Sequence, residues 1–127
     1  KLAFDRGGSW SQKYNLVWDK LLDLGIFPEE VFRKELDYYP KVSNIYGLPL
    51  DNRMTYTKTD WIMWTATLSD DMEEFQSFVK PVHKFMNETV DRVPMSDWVF
   101  TDKPTHRGFK ARSVVGGYFI KMLADMK

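Results

Sequence analysis

No cysteine occurs among the 127 residues, which excludes disulfides, structural thiolate zinc and thiol nucleophiles together, in any compartment. Net charge is missing too. Eighteen basic and eighteen acidic residues cancel, and the basic ones are scattered rather than striped, so nucleic acid is not expected as a partner. No apolar run approaches the roughly 18 residues that a membrane span needs, and Lys1-Leu2-Ala3-Phe4-Asp5 lacks the apolar region of a signal peptide. A soluble chain is expected. The two histidines, His83 and His106, have no partner three or four residues away, so neither a metal site nor a cofactor is expected.

What the chain does have is apolar and aromatic mass. At 43% hydrophobic it reads as a single helical domain over residues 1–127, long enough to bury about two-thirds of its unfolded surface. Five Trp, six Tyr and nine Phe exceed what such a core hides, so some rings are expected to face a groove or a partner.

Periodicity predicts an all-α fold of about five antiparallel helices. Tyr14, Val17, Trp18, Leu21 and Leu22 share one face of a helix over Lys13–Leu24, with Gly25 suited to the left-handed residue beyond its end. Pro28 at the first helical position, with Glu29 and Glu30 after it, starts a second helix that Pro40 ends. A third is expected to start at a Thr57 cap with Asp60 three residues on, carrying Trp61, Trp64, Thr65 and Leu68. Ser69-Asp70-Asp71 caps a fourth, through Met72, Phe75, Phe78, Val79, Val82, Phe85 and Met86, which Pro81 should kink near Ser77. Val115, Tyr118, Phe119, Met122 and Leu123 mark a fifth, where Gly116-Gly117 would each cost about 1 kcal/mol relative to Ala unless a neighbouring backbone approaches closely.

The connections alternate short, long, short, long. In an up-and-down array the two long loops, about 40–57 and 89–110, then share one end, together with the segment Gly7-Gly8-Ser9-Trp10-Ser11. That end collects Ser9, Trp10, Asp51, Asn52, Arg53, Tyr56, Lys58, Asp60, Trp61, Ser96, Asp97, Trp98, Arg107 and Arg112. Long loops in compact domains are often functional, so a concave aromatic and charged site is expected there. The alternative is that the same residues cap helices and staple loops.

Asp51, Asp60 and Asp97 supply carboxylates that act as acid and base if burial separates their pKa values; pairing with Arg53 or Arg112 is the structural alternative. Thr55-Tyr56-Thr57-Lys58 sets hydroxyls beside a lysine at a helix start, a pattern suited to activating a nucleophile or stabilising an oxyanion. Ser77 to Lys80 matches a Ser-x-x-Lys string but falls mid-helix and reads as chance. Asn87-Glu88-Thr89 is a glycosylation sequon with meaning only on a eukaryotic secretory route.

Several strings in one order are familiar: Gly8-Ser9-Trp10-Ser11 to Tyr14-Asn15-Leu16-Val17-Trp18-Asp19, Tyr46-Gly47-Leu48-Pro49-Leu50-Asp51 to Arg53, Thr55-Tyr56-Thr57-Lys58 to Asp60-Trp61, and Ala111-Arg112-Ser113-Val114-Val115-Gly116-Gly117. From about Gly7 to Leu123 the chain resembles the C-terminal part of the glutaminase A family, large secreted or periplasmic proteins. The resemblance implies a segment of an (α/α) toroid of six helical hairpins, a shape shared with many glycoside hydrolases, and hydrolysis of glutamine to glutamate and ammonia. Five helices are fewer than half of such a ring, so a fragment inactive on its own is one expectation.

Three functions follow. The first is a glutaminase-related amidohydrolase segment taking a small-molecule substrate, with Asp51, Lys58, Asp60 and Asp97 as catalytic candidates. Trp10, Arg53, Tyr56, Trp61, Trp98 and Arg112 are then binding candidates, Arg53 or Arg112 holding the substrate carboxylate. The second is a sugar-processing surface, in which Trp10, Trp61 and Trp98 stack on sugar faces and Asp60 and Asp97 serve as acid and base. The third is a non-catalytic interaction module. Helices lacking toroid neighbours would leave apolar faces bare, so self-association, as a dimer, is expected.

Overall fold

The computed structural model describes residues 5–127, so Lys1 to Phe4 lie outside the described residues. Among the described residues five α-helices form: α1 (Leu16–Leu21), α2 (Glu29–Tyr38), α3 (Thr59–Ala66), α4 (Met72–Glu88) and α5 (Ile120–Asp125). Two 3-10 segments, Tyr39–Lys41 and Ser113–Phe119, extend α2 and precede α5. No helix among the described residues is long and apolar enough to cross a membrane.

The first helix is shorter than its periodicity suggests. Tyr14 and Asn15 lie in turns, and the chain leaves α1 through Asp23 and Gly25, both at positive φ, as the expected left-handed exit requires. Asp19 is buried on α1 and its carboxylate accepts from the backbone N–H groups of Ile26 and Phe27, fixing the turn toward α2. Pro28 stands as the N-cap of α2 rather than its first residue. Asp71 caps α4 by accepting from the Glu74 N–H at 2.7 Å, and the helix continues through Pro81.

The main departure from an all-helical reading is a two-stranded antiparallel ladder. Strand β1 (Tyr56–Lys58) pairs with β2 (Trp98–Phe100), setting Tyr56 opposite Phe100, Thr57 opposite Val99 and Lys58 opposite Trp98. Thr57 is therefore a strand residue, not a helix cap, and α3 starts at Thr59 with no side-chain cap. The period of two explains the burial: Thr57 and Val99 point inward and are fully buried, while their neighbours are half-buried. Three-residue strands are too short to show that alternation against helical and turn signals.

The ladder joins the two long loops at one place, by strand pairing rather than by the open rim that the counting of connections predicts. Further backbone bonds run from Tyr46 to Thr101, from Thr101 to Thr55 and from Thr59 to Asp97. The segment before α1 joins the same region: Gln12 donates to the Leu50 carbonyl, and Ser11 bridges Asp51.

The core gathers Leu16, Val17, Leu36, Tyr39, Leu48, Ile62, Met63, Ala66, Phe78, Val82 and Ile120. Helix α3 lies at its centre, packed against α1, α4, α5 and the 3-10 segment before α5, and is buried on most sides. The face expected for the last helix is corrected: Ile120 is buried, whereas Phe119, Met122 and Leu123 are exposed. Residues Ser113–Phe119 wind as 3-10, and three residues per turn carry a side chain to a different face than 3.6 would. At Gly117 an added Cβ would come within 2.9 Å of Trp64 Nε1 and 3.3 Å of Asp60 Cβ. The close approach is to α3 side chains rather than to a backbone, and Gly116 meets nothing within 4 Å.

Candidate functional site

Where β1 runs into α3, the chain turns Lys58, Thr59 and Asp60 toward β2 and the segment before α5. Lys58 stands opposite Trp98 in the ladder, so its stem crosses the strand and its ammonium lies 4.8 Å from the Trp98 ring centroid and 4.6 Å from that of Phe109. The same ammonium is 3.1 Å from Asp97 Oδ2, with side-chain exposures of 12% and 4% for the pair. Arg112 lies over the Phe109 ring and 3.7 Å from Asp97 Oδ1, an oxygen that is buried without a hydrogen bond.

Asp60 lies in the first turn of α3 and is 4% exposed. Its Oδ1 has no hydrogen-bond partner among the described residues. Burial, and secondly the Asp97 charge, push its carboxyl up to about 6, against partial relief from the first backbone N–H groups of α3 and from Lys58. Two tyrosines respond to the Asp60 charge. Burial first, then Asp60 and Asp97, pushes Tyr118 up to about 12, and burial and Asp60 raise Tyr14. The Tyr118 hydroxyl is hydrogen-bonded to Thr59 Oγ1, and that threonine also donates to the Asp97 carbonyl at 3.2 Å.

Sequence-predicted residues thus divide into two groups. Lys58, Asp60, Asp97, Trp98 and Arg112 come together. Tyr56 borders them, its ring edge-on to Trp98 at 5.4 Å. Asp51 and Arg53 form a separate pair at 2.7 Å; burial alone would raise the Asp51 carboxyl, but hydrogen bonds from the Arg53 side chain and backbone hold it below its ordinary value. Trp10 is edge-on to Tyr38 at 6.1 Å and staples α2. Trp61 stacks on Tyr14 at 4.0 Å and lines, with Tyr14, Asp51 and Arg53, a groove of about 660 Å³.

Tyr14, Tyr118, Thr59 and Phe109 are the members that sequence reasoning missed. Tyr14 and Tyr118 lie at apolar-face positions of helical patterns and read as core, and Phe109 lies in a stretch with no period. Among the described residues no group of three or more His, Asp or Glu side chains is arranged to hold a metal ion.

The geometry defines a mostly helical domain whose two long loops meet in a short ladder beside a buried carboxylate, Asp60. The chain belongs to the glutaminase A family: residues 1–122 match the glutaminase A six helical-hairpin domain. It is 32% identical to a protein of Arthroderma benhamiae named probable glutaminase, over 94% of this chain and 17% of that protein. It is 34% identical to Glutaminase A of Aspergillus oryzae, over 87% of this chain and 16% of that protein. The chain therefore spans about a sixth of the length of these relatives. No solved structure matches it.

Proposed function

We propose that this chain is the part of a glutaminase-type domain that supplies the general base for hydrolysing the side-chain amide of L-glutamine. The observation that carries the reading is Asp60, a buried carboxyl raised to about 6 beside a lysine and a second carboxylate. A base with that affinity for protons is mostly ionised at neutral pH yet still takes a proton from water in the transition state. Water adds to the amide carbon as Asp60 accepts its proton, and the ammonium of Lys58 offers charge to the oxyanion that forms. Asp60 then returns the proton to nitrogen as the carbon–nitrogen bond breaks, giving glutamate and ammonia. Arg112 is the candidate for the substrate carboxylate, since Arg53 is engaged by Asp51.

The sugar-processing alternative is less well supported. Trp10, Trp61 and Trp98 each meet another ring, and Trp98 also carries the Lys58 and Arg107 cations. A role as part of an (α/α) toroid, and a secreted or periplasmic setting, go with the family and belong to this proposal.

The test is ammonia release from glutamine by this chain, by its Asp60→Asn variant and by full-length Glutaminase A of Aspergillus oryzae. Activity in the chain that falls at least ~100-fold in the variant supports the assignment. Activity undiminished in the variant overturns it. Silence from the chain beside an active relative confines this segment to a structural part.

A further inference from the structure

A second cavity, of about 390 Å³, has the hydrogen-bonded pair Thr59 and Tyr118 in its wall. Its walls are mostly apolar, with Phe85, Met86, Val93, Met95 and Val99 among them, and His106 contributes the one imidazole. This histidine is held on two sides. Its backbone N–H donates to Asp91 Oδ2 at 2.6 Å, its Nδ1 lies 3.2 Å from the same oxygen, and its ring meets Phe85 edge-on at 5.2 Å. The Asp91 carboxyl is held below its ordinary value, first by the His106 backbone N–H and also by the ring, so it is an anion that accepts.

A carboxylate on Nδ1 selects the tautomer with its proton there and leaves Nε2 with a lone pair. Nε2 has no partner among the described residues, although the side chain is only 11% exposed. A volume of this size suits a small molecule, and a wall that is apolar over most of its area, with an imidazole acceptor among a few polar groups, suits a ligand that has an apolar body and one proton to donate. Arg92, also on the wall, donates one guanidinium N–H to the Thr89 carbonyl at 2.9 Å.

We propose that the cavity between α4, β2 and Tyr118 is a binding site for a small neutral aromatic hydroxyl compound, a phenol, whose O–H donates to His106 Nε2. The inference rests on this cavity and not on the amidohydrolase reading, and it stands or falls without any assay of glutamine.

Two probes of nearly equal shape separate the outcomes: p-cresol, which has the proton, and 4-methylanisole, in which a methyl group replaces it. Titrated into the chain and followed by NMR, p-cresol binds at least ~10-fold more tightly, the difference that one hydrogen bond in a mostly apolar cavity supports. Saturation with p-cresol shifts the His106 Nε2 resonance, because that nitrogen accepts the hydrogen bond. His83, the second histidine of the chain, is exposed on α4 beside Asn87, and it serves as the reference that does not move. His106→Leu makes the two probes bind alike, and Val93→Phe, which fills the cavity while leaving His106 in place, abolishes binding of both. Equal affinities in the unaltered chain, an unmoved His106 at saturation, or binding that survives Val93→Phe in a folded variant would each overturn the proposal.

Discussion

Asp60 carries the account, and its chemistry has a sign that can be tested without substrate. Its carboxyl titrates at about 6 in the folded chain against 3.8 ordinarily. Between those values the folded state holds a proton that the unfolded state has released. Stability from this group is therefore complete below about pH 4 and falls as pH rises through the window, by about 3 kcal/mol in all. Asp60→Asn keeps the shape and removes the charge. It is expected to raise the melting temperature above pH 6 and to change it little near pH 4, as thermal denaturation of both proteins across that range would show. Equal pH profiles would mean that Asp60 ionises freely. Activity should move the other way, rising in the unaltered protein through about pH 6 as the base loses its proton. A residue that costs stability and supports function is the pattern expected at a working site. Asp51 and Glu74, both held below their ordinary values by arginine partners, act with opposite sign, adding stability that is lost as pH falls, so only the difference between the two proteins isolates Asp60.

At the scale of elements, the ladder between β1 and β2 decides which candidates meet. It sets Lys58 against Trp98 and leads Asp97 to the start of α3, while Asp51 lines a groove with Tyr14, Arg53 and Trp61. The helices were legible because four of them repeat apolar residues over two or more turns or begin at a clear cap. The ladder was not, because three alternating residues resemble any short turn. The division of the loop residues into two groups depends on register, which no spacing along the chain reveals. Glycine offers an element-scale test. Gly117→Ala would thrust a Cβ against Trp64 and Asp60 and should cost about 1–3 kcal/mol. Gly116→Ala meets open space and should be neutral or stabilising by up to about 1 kcal/mol. Urea denaturation of both variants checks the contrast, and equal effects would contradict the packing described for Gly117.

For the whole molecule, the notable surface is the outer side of α5. Phe119, Met122, Leu123 and Met126 are all more than half exposed, and the Lys127 amine reaches the Leu21 carbonyl, placing the end of α5 near the exposed Trp18 and Leu22. An apolar surface of this kind is uncommon on a monomer, and we propose that the isolated chain self-associates through it. Sedimentation should show a concentration-dependent dimer, and Met122→Glu with Leu123→Lys should return it to monomer. A clean monomer of the unaltered chain at micromolar concentration would contradict this. The apolar period of α5 was legible in the sequence, but the face it buries was not, because the 3-10 winding of Ser113–Phe119 rotates Ile120 inward in place of Phe119.

The central claim is that one buried carboxyl, coupled to a second, stands ready as a base at the junction of the two long loops. Carbon-detected NMR titration of the Asp60 side chain tests it most directly. The midpoint should lie near 6 and fall in Asp97→Asn, though not to the ordinary value, since burial is the larger cause. A midpoint near 3.8, or one indifferent to the loss of the Asp97 charge, would contradict the account.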